Sequence, residues 1–357
     1  MNTRIKTILC VAAALAATTA ASAMSHPVML EDQGSFFAGG VVKTAPGAYT
    51  GQPLDRSGET LHGDHAYVFY QKPVKAHQNA LVFLHGAGQS SKTWETTPDG
   101  RDGFQNMFLE RGYTTYLVDQ PRRGKAGQTT ITHTVTAQPE DQMCFNIFRL
   151  GTWPKYYDNV QVARDERSLD QFFRQMTPNT GDFDQEVISD AMVAVLETAG
   201  PSVLVTHSQG GGPGWETAMK SDKVKGVISF EPGDFPFPEG EVPPAEPTRS
   251  PFPAQGSAVS MDEFLKMTKI PVAVVYGDNI PAEHEHTDNW GMDNWRIRLN
   301  LARKWVDIVN RYGGNAELIY LPDRGIYGNT HFPFADLNNK EVADVMEQWM
   351  KDNGLAE

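Results

Sequence analysis

The sequence predicts an α/β fold with a mostly parallel central sheet, helices on both of its faces and inserted segments. Three observations predict this fold class. Short apolar runs bounded by turn residues recur along the chain, amphipathic helical patterns separate most of them, and no internal repeat accounts for either pattern. Because ligands bind beyond the carboxyl ends of parallel strands, the residues that directly follow each strand are the candidate functional residues.

Short apolar runs predict strands at residues 66–71, 80–84, 114–118, 203–205, 227–230, 272–276 and 318–321. Helical spacing of apolar residues predicts helices at residues 103–110, 169–176, 187–197, 295–309 and 342–350. Parallel strands need long crossover connections, which helices usually supply, so this alternation favours a parallel sheet.

The N-terminal residues 1–23 predict a secretory signal peptide. Arg4 and Lys6 precede a run of small and apolar residues, and an Ala-Ser-Ala sequence ending at Ala23 matches a cleavage site. The apolar run is too short to span a bilayer. We therefore expect cleavage after Ala23, a periplasmic or secreted protein, and one domain over residues 24–357.

Composition excludes several classes of partner. The net charge is −13, and it becomes more negative when the two basic residues of the signal peptide are lost. An acidic chain without a basic cluster is not expected to bind nucleic acid or an anionic membrane surface. No later stretch is apolar enough to cross a membrane. Only Cys144 remains after cleavage, so no internal disulfide is expected.

Two segments interrupt the alternation of strands and helices. Residues 125–184 contain no clear sheet strand and carry clustered aromatic residues, and residues 233–256 are rich in proline. We expect the first segment to be a cap insertion over a site at the strand ends, and the second to border its rim. Ordinary packing of the aromatic residues against the body is the alternative interpretation.

Reactive residues follow the strands in a defined order. A glycine-rich turn comes first, then Ser208 in "THSQGG", then the acids Glu231 and Asp278, and finally His331. This is the order of an α/β-hydrolase catalytic triad. A serine hydroxyl needs a nearby imidazole as its base, and the imidazole needs a carboxylate to fix its tautomer. The order therefore predicts Ser208 as the nucleophile and His331 as the base.

Backbone N–H groups must stabilise the oxyanion that such a reaction forms. Gln209, directly after the serine, and Ala87, in the loop after residues 80–84, are the predicted donors. The sharp turn at the nucleophile also needs small neighbours. Gly210 meets this requirement, whereas Thr206 stands where the motif usually has glycine and is expected to crowd the turn.

The acid has two candidates. Asp278 follows the strand that α/β-hydrolases commonly use for this residue, one strand after Glu231. Glu231 follows its own strand without a spacer, and its extra methylene group lengthens its reach. Both positions keep the acid before His331, so the order alone leaves the choice open.

The chain resembles the secreted bacterial esterases of the esterase 713 group, which are divergent α/β-hydrolases. The resemblance lies in "FLHGAGQSSKTWETTPDGRDGFQ", "GYTTYLVDQPRRG", "THSQGG", "SFEPG" and "GNTHF". It implies that Glu231 is the acid and leaves Asp278 as the alternative. The group carries two adjacent cysteines in its oxyanion loop, and this chain has Ala87 and Gly88 in that loop instead.

Together these patterns predict an exported serine carboxylic-ester hydrolase that forms an acyl-enzyme and needs no cofactor or metal. The expected partner is a small-molecule ester, and a homodimer is left open. A lactonase or other acyl hydrolase with the same triad, and a non-catalytic binding protein with the same fold, are the alternatives. Residues 283–286 combine two glutamates with two histidines, but we interpret them as a solvated loop rather than a metal site.

Overall fold

The computed structural model describes residues 27–285 and 287–357, which form an eight-stranded sheet with a hydrophobic core on each face. The predicted fold class is confirmed. The strands are β1 (Leu30–Thr44), β2 (Thr60–Pro73), β3 (Ala80–Leu84), β4 (Thr115–Asp119), β5 (Gly151–Thr152), β6 (Lys155–Tyr156), β7 (Ser202–His207), β8 (Val224–Phe230), β9 (Pro236–Pro238), β10 (Ser257–Val259), β11 (Pro271–Tyr276) and β12 (Asn315–Tyr320).

The α-helices lie between and after these strands. They are α1 (Phe104–Glu110), α2 (Asp141–Ile147), α3 (Glu166–Arg174), α4 (Gln185–Ala199), α5 (Gly211–Lys220), α6 (Met261–Met267), α7 (Trp290–Arg311) and α8 (Asn339–Asp352). Within the described ranges, no helix combines the length and the apolar character needed to cross a bilayer. The predicted signal peptide, residues 1–23, lies outside the described residues.

The sheet order is β1-β2-β4-β3-β7-β8-β11-β12. Strand β2 runs antiparallel to both of its neighbours, and the other neighbouring pairs are parallel. From β3 the chain continues to β4 on one side, and it later returns through β7 on the other side. The carboxyl ends of β3 and β7 therefore flank the crevice where ligands bind in open parallel sheets.

Strand β7 shows why these short apolar runs become central strands. All of its residues are buried, and its side chains alternate between two cores. Val203 and Val205 pack in one core, whereas Leu204 packs in the core on the opposite face. A strand covered on both faces needs apolar residues at successive positions, which is the pattern read from the sequence.

The sequence patterns do not predict β1. It pairs with β2 from Leu30 opposite Pro73 to Thr44 opposite Thr60, and it forms the edge of the sheet. Most of its residues are exposed, so it lacks the continuous apolar run that marks a buried strand. The segment 125–184 contributes no strand to the main sheet and contains α2, α3 and the short β5–β6 hairpin.

Candidate active site

Ser208 occupies a sharp turn between β7 and α5. Its φ is +53°, a left-handed conformation that costs energy for a residue with a side chain. Two glycines make room for the turn. A β-carbon on Gly86 would lie 2.7 Å from the Ser208 Cβ, and one on Gly210 would lie 2.5 Å from the His85 carbonyl oxygen. The neighbouring loop therefore packs directly against Ser208 and holds it at the end of β7.

Thr206 is accommodated by a glycine on the following helix. Its hydroxyl donates a hydrogen bond of 2.7 Å to Ser229 Oγ in the neighbouring strand. A β-carbon on Gly214 of α5 would lie 2.6 Å from the Thr206 methyl carbon. The Thr206 methyl group therefore occupies the space that a side chain at position 214 would need. The crowding expected at the turn is thus relieved on the helix side.

Glu231 contacts the histidine that the sequence predicts as the base. It directly follows β8, is fully buried and has a φ of +46°. Its Oε2 lies 2.7 Å from His331 Nδ1, and its Oε1 accepts a hydrogen bond of 2.8 Å from the Gly277 backbone N–H. The carboxylate therefore fixes the imidazole with Nδ1 protonated and Nε2 available as an acceptor.

A buried arginine that the sequence analysis missed binds the same carboxylate. Arg149 is fully buried, and its Nη1 donates a hydrogen bond of 2.8 Å to Glu231 Oε2. Its Nη2 donates to Glu231 Oε1, and its Nε donates to the Asp278 carbonyl oxygen at 2.9 Å. This is a bidentate arginine–carboxylate pair. No motif surrounds Arg149, so only its spatial position reveals its partner.

The charges around Glu231 determine its ionisation. Burial opposes ionisation, but the Arg149 charge and the hydrogen bond to His331 outweigh it and hold the pKa of Glu231 well below its usual value. Burial lowers the pKa of His331 to about 4, although the bond to Glu231 acts in the opposite direction. At neutral pH the pair therefore holds an ionised carboxylate and a neutral imidazole, as a general base requires.

Asp278, the alternative acid, binds the loop that precedes the histidine instead of the histidine ring. Its carboxylate accepts hydrogen bonds from the backbone N–H of Gly328 at 2.7 Å, the backbone N–H of Asn279 at 2.6 Å and the side chain of Asn159 at 3.0 Å. A carboxylate with these contacts holds the turn that carries His331.

Ser208, His331 and both predicted oxyanion residues line one cavity of about 590 Å³. His331 Nε2 is buried and has no hydrogen-bond partner among the described residues, Ser208 included. Catalytic hydrogen bonds are often long until substrate binds, so an unpartnered Nε2 is compatible with His331 acting as the base of Ser208. Ala87 lies in the loop after β3, and Gln209 lies in the first turn after β7, where helical N–H groups lack intrahelical partners.

Both inserted segments contribute to the wall of this cavity. From residues 125–184 the lining residues are Glu140, Met143, Cys144, Ile147, Phe148, Met176 and Phe183. The Phe148 ring stacks on the His331 ring at 5.3 Å, and its carbonyl oxygen accepts the His331 backbone N–H at 3.0 Å. From residues 233–256, Gly233, Asp234 and Phe252 line the cavity.

The other histidine of the nucleophile motif is held in a supporting position. His207 is buried, its Nε2 lies 2.9 Å from the His331 carbonyl oxygen, and burial lowers its pKa well below the ordinary value. It therefore packs as a neutral ring behind the turn. Across residues 27–285 and 287–357, no group of three or more histidine, cysteine or acidic residues could hold a metal ion.

Known proteins resemble this chain over most of its length. The model described as the alpha/beta hydrolase family matches residues 81–351. A probable secreted lipase, phiG, from a fungal species (strain ATCC 74256) is 28% identical over 313 residues, which cover 76% of this chain and 81% of that protein. A solved structure of a bacterial esterase is 27% identical with a TM-score of 0.73, and the match covers 92% of this chain and 98% of that one.

Proposed function

The chain belongs to the α/β hydrolase family, and from this premise we propose that it is an exported serine esterase that hydrolyses carboxylic esters of small molecules. The observation that carries the proposal is the arrangement around His331. Its Nδ1 is bound by Glu231, while its Nε2 is unpartnered among the described residues and lies beside the cavity that Ser208 also lines. This is the arrangement that a nucleophilic serine needs.

In the first half of the reaction, Ser208 Oγ attacks the ester carbonyl while His331 Nε2 accepts its proton. The Glu231 carboxylate stabilises the imidazolium that forms. The backbone N–H groups of Ala87 and Gln209 bind the oxyanion, and each such donor accelerates the reaction by about a hundredfold or more. The imidazolium then protonates the departing alkoxide, which leaves as the alcohol.

Water releases the acyl group in the second half. His331 takes a proton from the water, whose oxygen attacks the acyl-enzyme carbonyl, and then returns that proton to Ser208 as the acid leaves. Arg149 does not touch the reacting atoms. It keeps Glu231 ionised and oriented, and it is therefore a positioning residue.

Residues 125–184 act as a cap in this proposal. The contact between Phe148 and His331 and the lining residues from α2 support it. Export after cleavage at Ala23 is supported by the order of charged, apolar and small residues at the N-terminus. A curated relative named a secreted lipase supports both the acyl-hydrolase chemistry and the export.

The test is hydrolysis of 4-nitrophenyl butyrate combined with labelling by a fluorophosphonate probe. Ser208→Ala should lower kcat by about a thousandfold or more and abolish labelling, because no other group can form the acyl-enzyme. Ser221→Ala, a serine in the turn after α5 and outside the cavity, is the matched control and should retain both. Near-normal turnover by folded Ser208→Ala protein would reject the mechanism.

The same assay separates the alternative functions. A lactonase would hydrolyse a lactone faster than the open-chain ester of the same acid, with the same dependence on Ser208. A non-catalytic binding protein would neither hydrolyse the ester nor react with the probe.

A further inference from the structure

Arg298 of α7 lines the same cavity as Ser208 and His331. Its Nη1 donates hydrogen bonds to Asn294 Oδ1 at 2.7 Å, to the Asn294 carbonyl oxygen at 2.9 Å and to the Phe252 carbonyl oxygen at 3.3 Å. Within the described ranges, its Nε and Nη2 have no hydrogen-bond partner and no carboxylate forms an ion pair with it. One edge of the guanidinium is thus held in place, and the other edge is left for a ligand.

The surroundings of Arg298 make an unpaired charge costly. Burial lowers the pKa of Arg298 from its ordinary value, although the Asp234 charge acts in the opposite direction and the Trp295 ring, 5.7 Å from the guanidinium carbon, offers a cation–π contact. An arginine nevertheless stays protonated in proteins. Arg298 is half-buried, so a charge that no carboxylate pairs gains from an anionic ligand, and a carboxylate matches the two parallel N–H groups of a guanidinium.

Arg298 lies close to the nucleophile. Gly233 separates them: its backbone N–H donates a hydrogen bond of 3.2 Å to the Ser208 carbonyl oxygen, and a β-carbon on it would lie 4.0 Å from Arg298 Nε. The charge of Arg298 also lowers the pKa of His331. A substrate whose ester group is at Ser208 therefore needs only a short chain to reach the guanidinium.

Two acidic residues line the cavity as well. Glu140 is exposed at its rim. Asp234 is half-buried, its Oδ1 has no hydrogen-bond partner among the described residues, and burial raises the pKa of its carboxyl group. Asp234 forms no ion pair with Arg298, but its charge raises the pKa of Arg298, so it is a candidate internal counter-charge and the experiment must include it.

We propose that the substrate is an ester that carries a second, ionised carboxylate, which Arg298 binds through Nε and Nη2 while Ser208 attacks the ester carbonyl. This rests on the proposed esterase function and specifies its substrate class. Hydrolysis breaks the bond between the acyl carbon and the alcohol oxygen and forms a bond from that carbon to the oxygen of water. The alcohol leaves with one proton, and the new acid releases the other to solvent.

The experiment compares ethyl hydrogen glutarate with its neutral analogue, in which a primary amide replaces the free carboxylate, by measuring ethanol release. The wild-type protein should give a higher kcat/KM for the charged ester. Arg298→Gln should lower the ratio of the two kcat/KM values by about tenfold to hundredfold, because hydrogen bonds to a charged group are lost. Arg298→Lys should retain part of the ratio, since it keeps the charge but not the planar fork.

Arg303→Gln removes the same charge from the same helix at a residue outside the cavity, and it should leave the ratio unchanged. An unchanged ratio in Arg298→Gln, or a wild-type preference for the amide, would overturn the inference alone. If Arg298 only balances Asp234, adding Asp234→Asn to Arg298→Gln should restore lost stability while the ratio stays at the wild-type value, which would also overturn it. A wild-type protein that hydrolyses neither ester nor 4-nitrophenyl butyrate would instead overturn the esterase function.

Discussion

Replacing Glu231 with glutamine tests the proposed acid and also a consequence of its surroundings. Each carboxylate oxygen accepts two hydrogen bonds: Oε2 from His331 and Arg149, and Oε1 from Arg149 and Gly277. An amide at position 231 would therefore point its NH2 group at two donors in either orientation. The change therefore removes a charge and also leaves two donors without an acceptor, although glutamine has the same shape as glutamate.

The magnitude follows from the two roles of the carboxylate. Loss of the charge that stabilises the imidazolium should lower kcat/KM by about 10⁴-fold. Arg149, which is fully buried, would also lose its ion-pair partner, and breaking such a pair should lower the free energy of unfolding by about 3–5 kcal/mol. Raising the pH should not restore the rate, because the carboxylate raises the pKa of His331 and its removal leaves the imidazole neutral.

The assay is 4-nitrophenyl butyrate hydrolysis across pH, with urea unfolding followed by tryptophan fluorescence. Glu231→Gln combined with Arg149→Met should recover stability, since both buried charges are gone, but not activity. Asp278→Asn is the control and should cost less than about tenfold, because it weakens hydrogen bonds to a turn. A Glu231→Gln protein within tenfold of the wild type, or a larger loss in Asp278→Asn, would refute the assignment.

Two further predictions concern the positioning arginine and the cap. Arg149→Met should shift the acid limb of the kcat/KM profile to higher pH, because the Arg149 charge lowers the pKa of both Glu231 and His331 and the reaction needs one ionised and the other neutral. An unchanged limb in a folded variant would show that Arg149 is only structural. Met143→Ala should widen the cavity and raise the kcat/KM ratio of 4-nitrophenyl octanoate to butyrate, by about fourfold for each methylene group accommodated. The same ratio in both proteins would contradict the cap proposal.

The central strands could be predicted from the sequence because burial on both faces requires continuous apolar runs, as in β3 and β7. Their ends then located Ser208 and Glu231, since a strand's last residue fixes where the next side chain lies. The edge strand β1 was missed because exposure removes that constraint. Backbone hydrogen bonds to β2 hold it in the sheet, and such bonds do not require particular side chains, so the sequence pattern does not reveal them.

The candidate site was only partly predictable for a similar reason. Ser208 and Glu231 directly follow strands, and His331 lies in the loop after the last strand, so the order of the chain marks them. Arg149 lies in an inserted segment, 82 positions from the carboxylate it binds, and a single arginine has no periodicity or spacing that indicates its partner. The sequence likewise leaves the choice between Glu231 and Asp278 open, because it does not show the path of the chain after β11, where backbone N–H groups of the turn bind the Asp278 carboxylate.

The fit between Thr206 and Gly214 links two positions that a motif search treats separately. The methyl group of one fills the volume that the missing side chain of the other leaves. Among homologues the side-chain sizes at positions 206 and 214 should therefore vary inversely. A chain with glycine at position 206 has room for alanine or serine at position 214, and a chain with threonine at position 206 does not. A search pattern that accepts threonine before the nucleophile only when glycine stands eight residues later would find such chains, which the usual glycine-based pattern excludes.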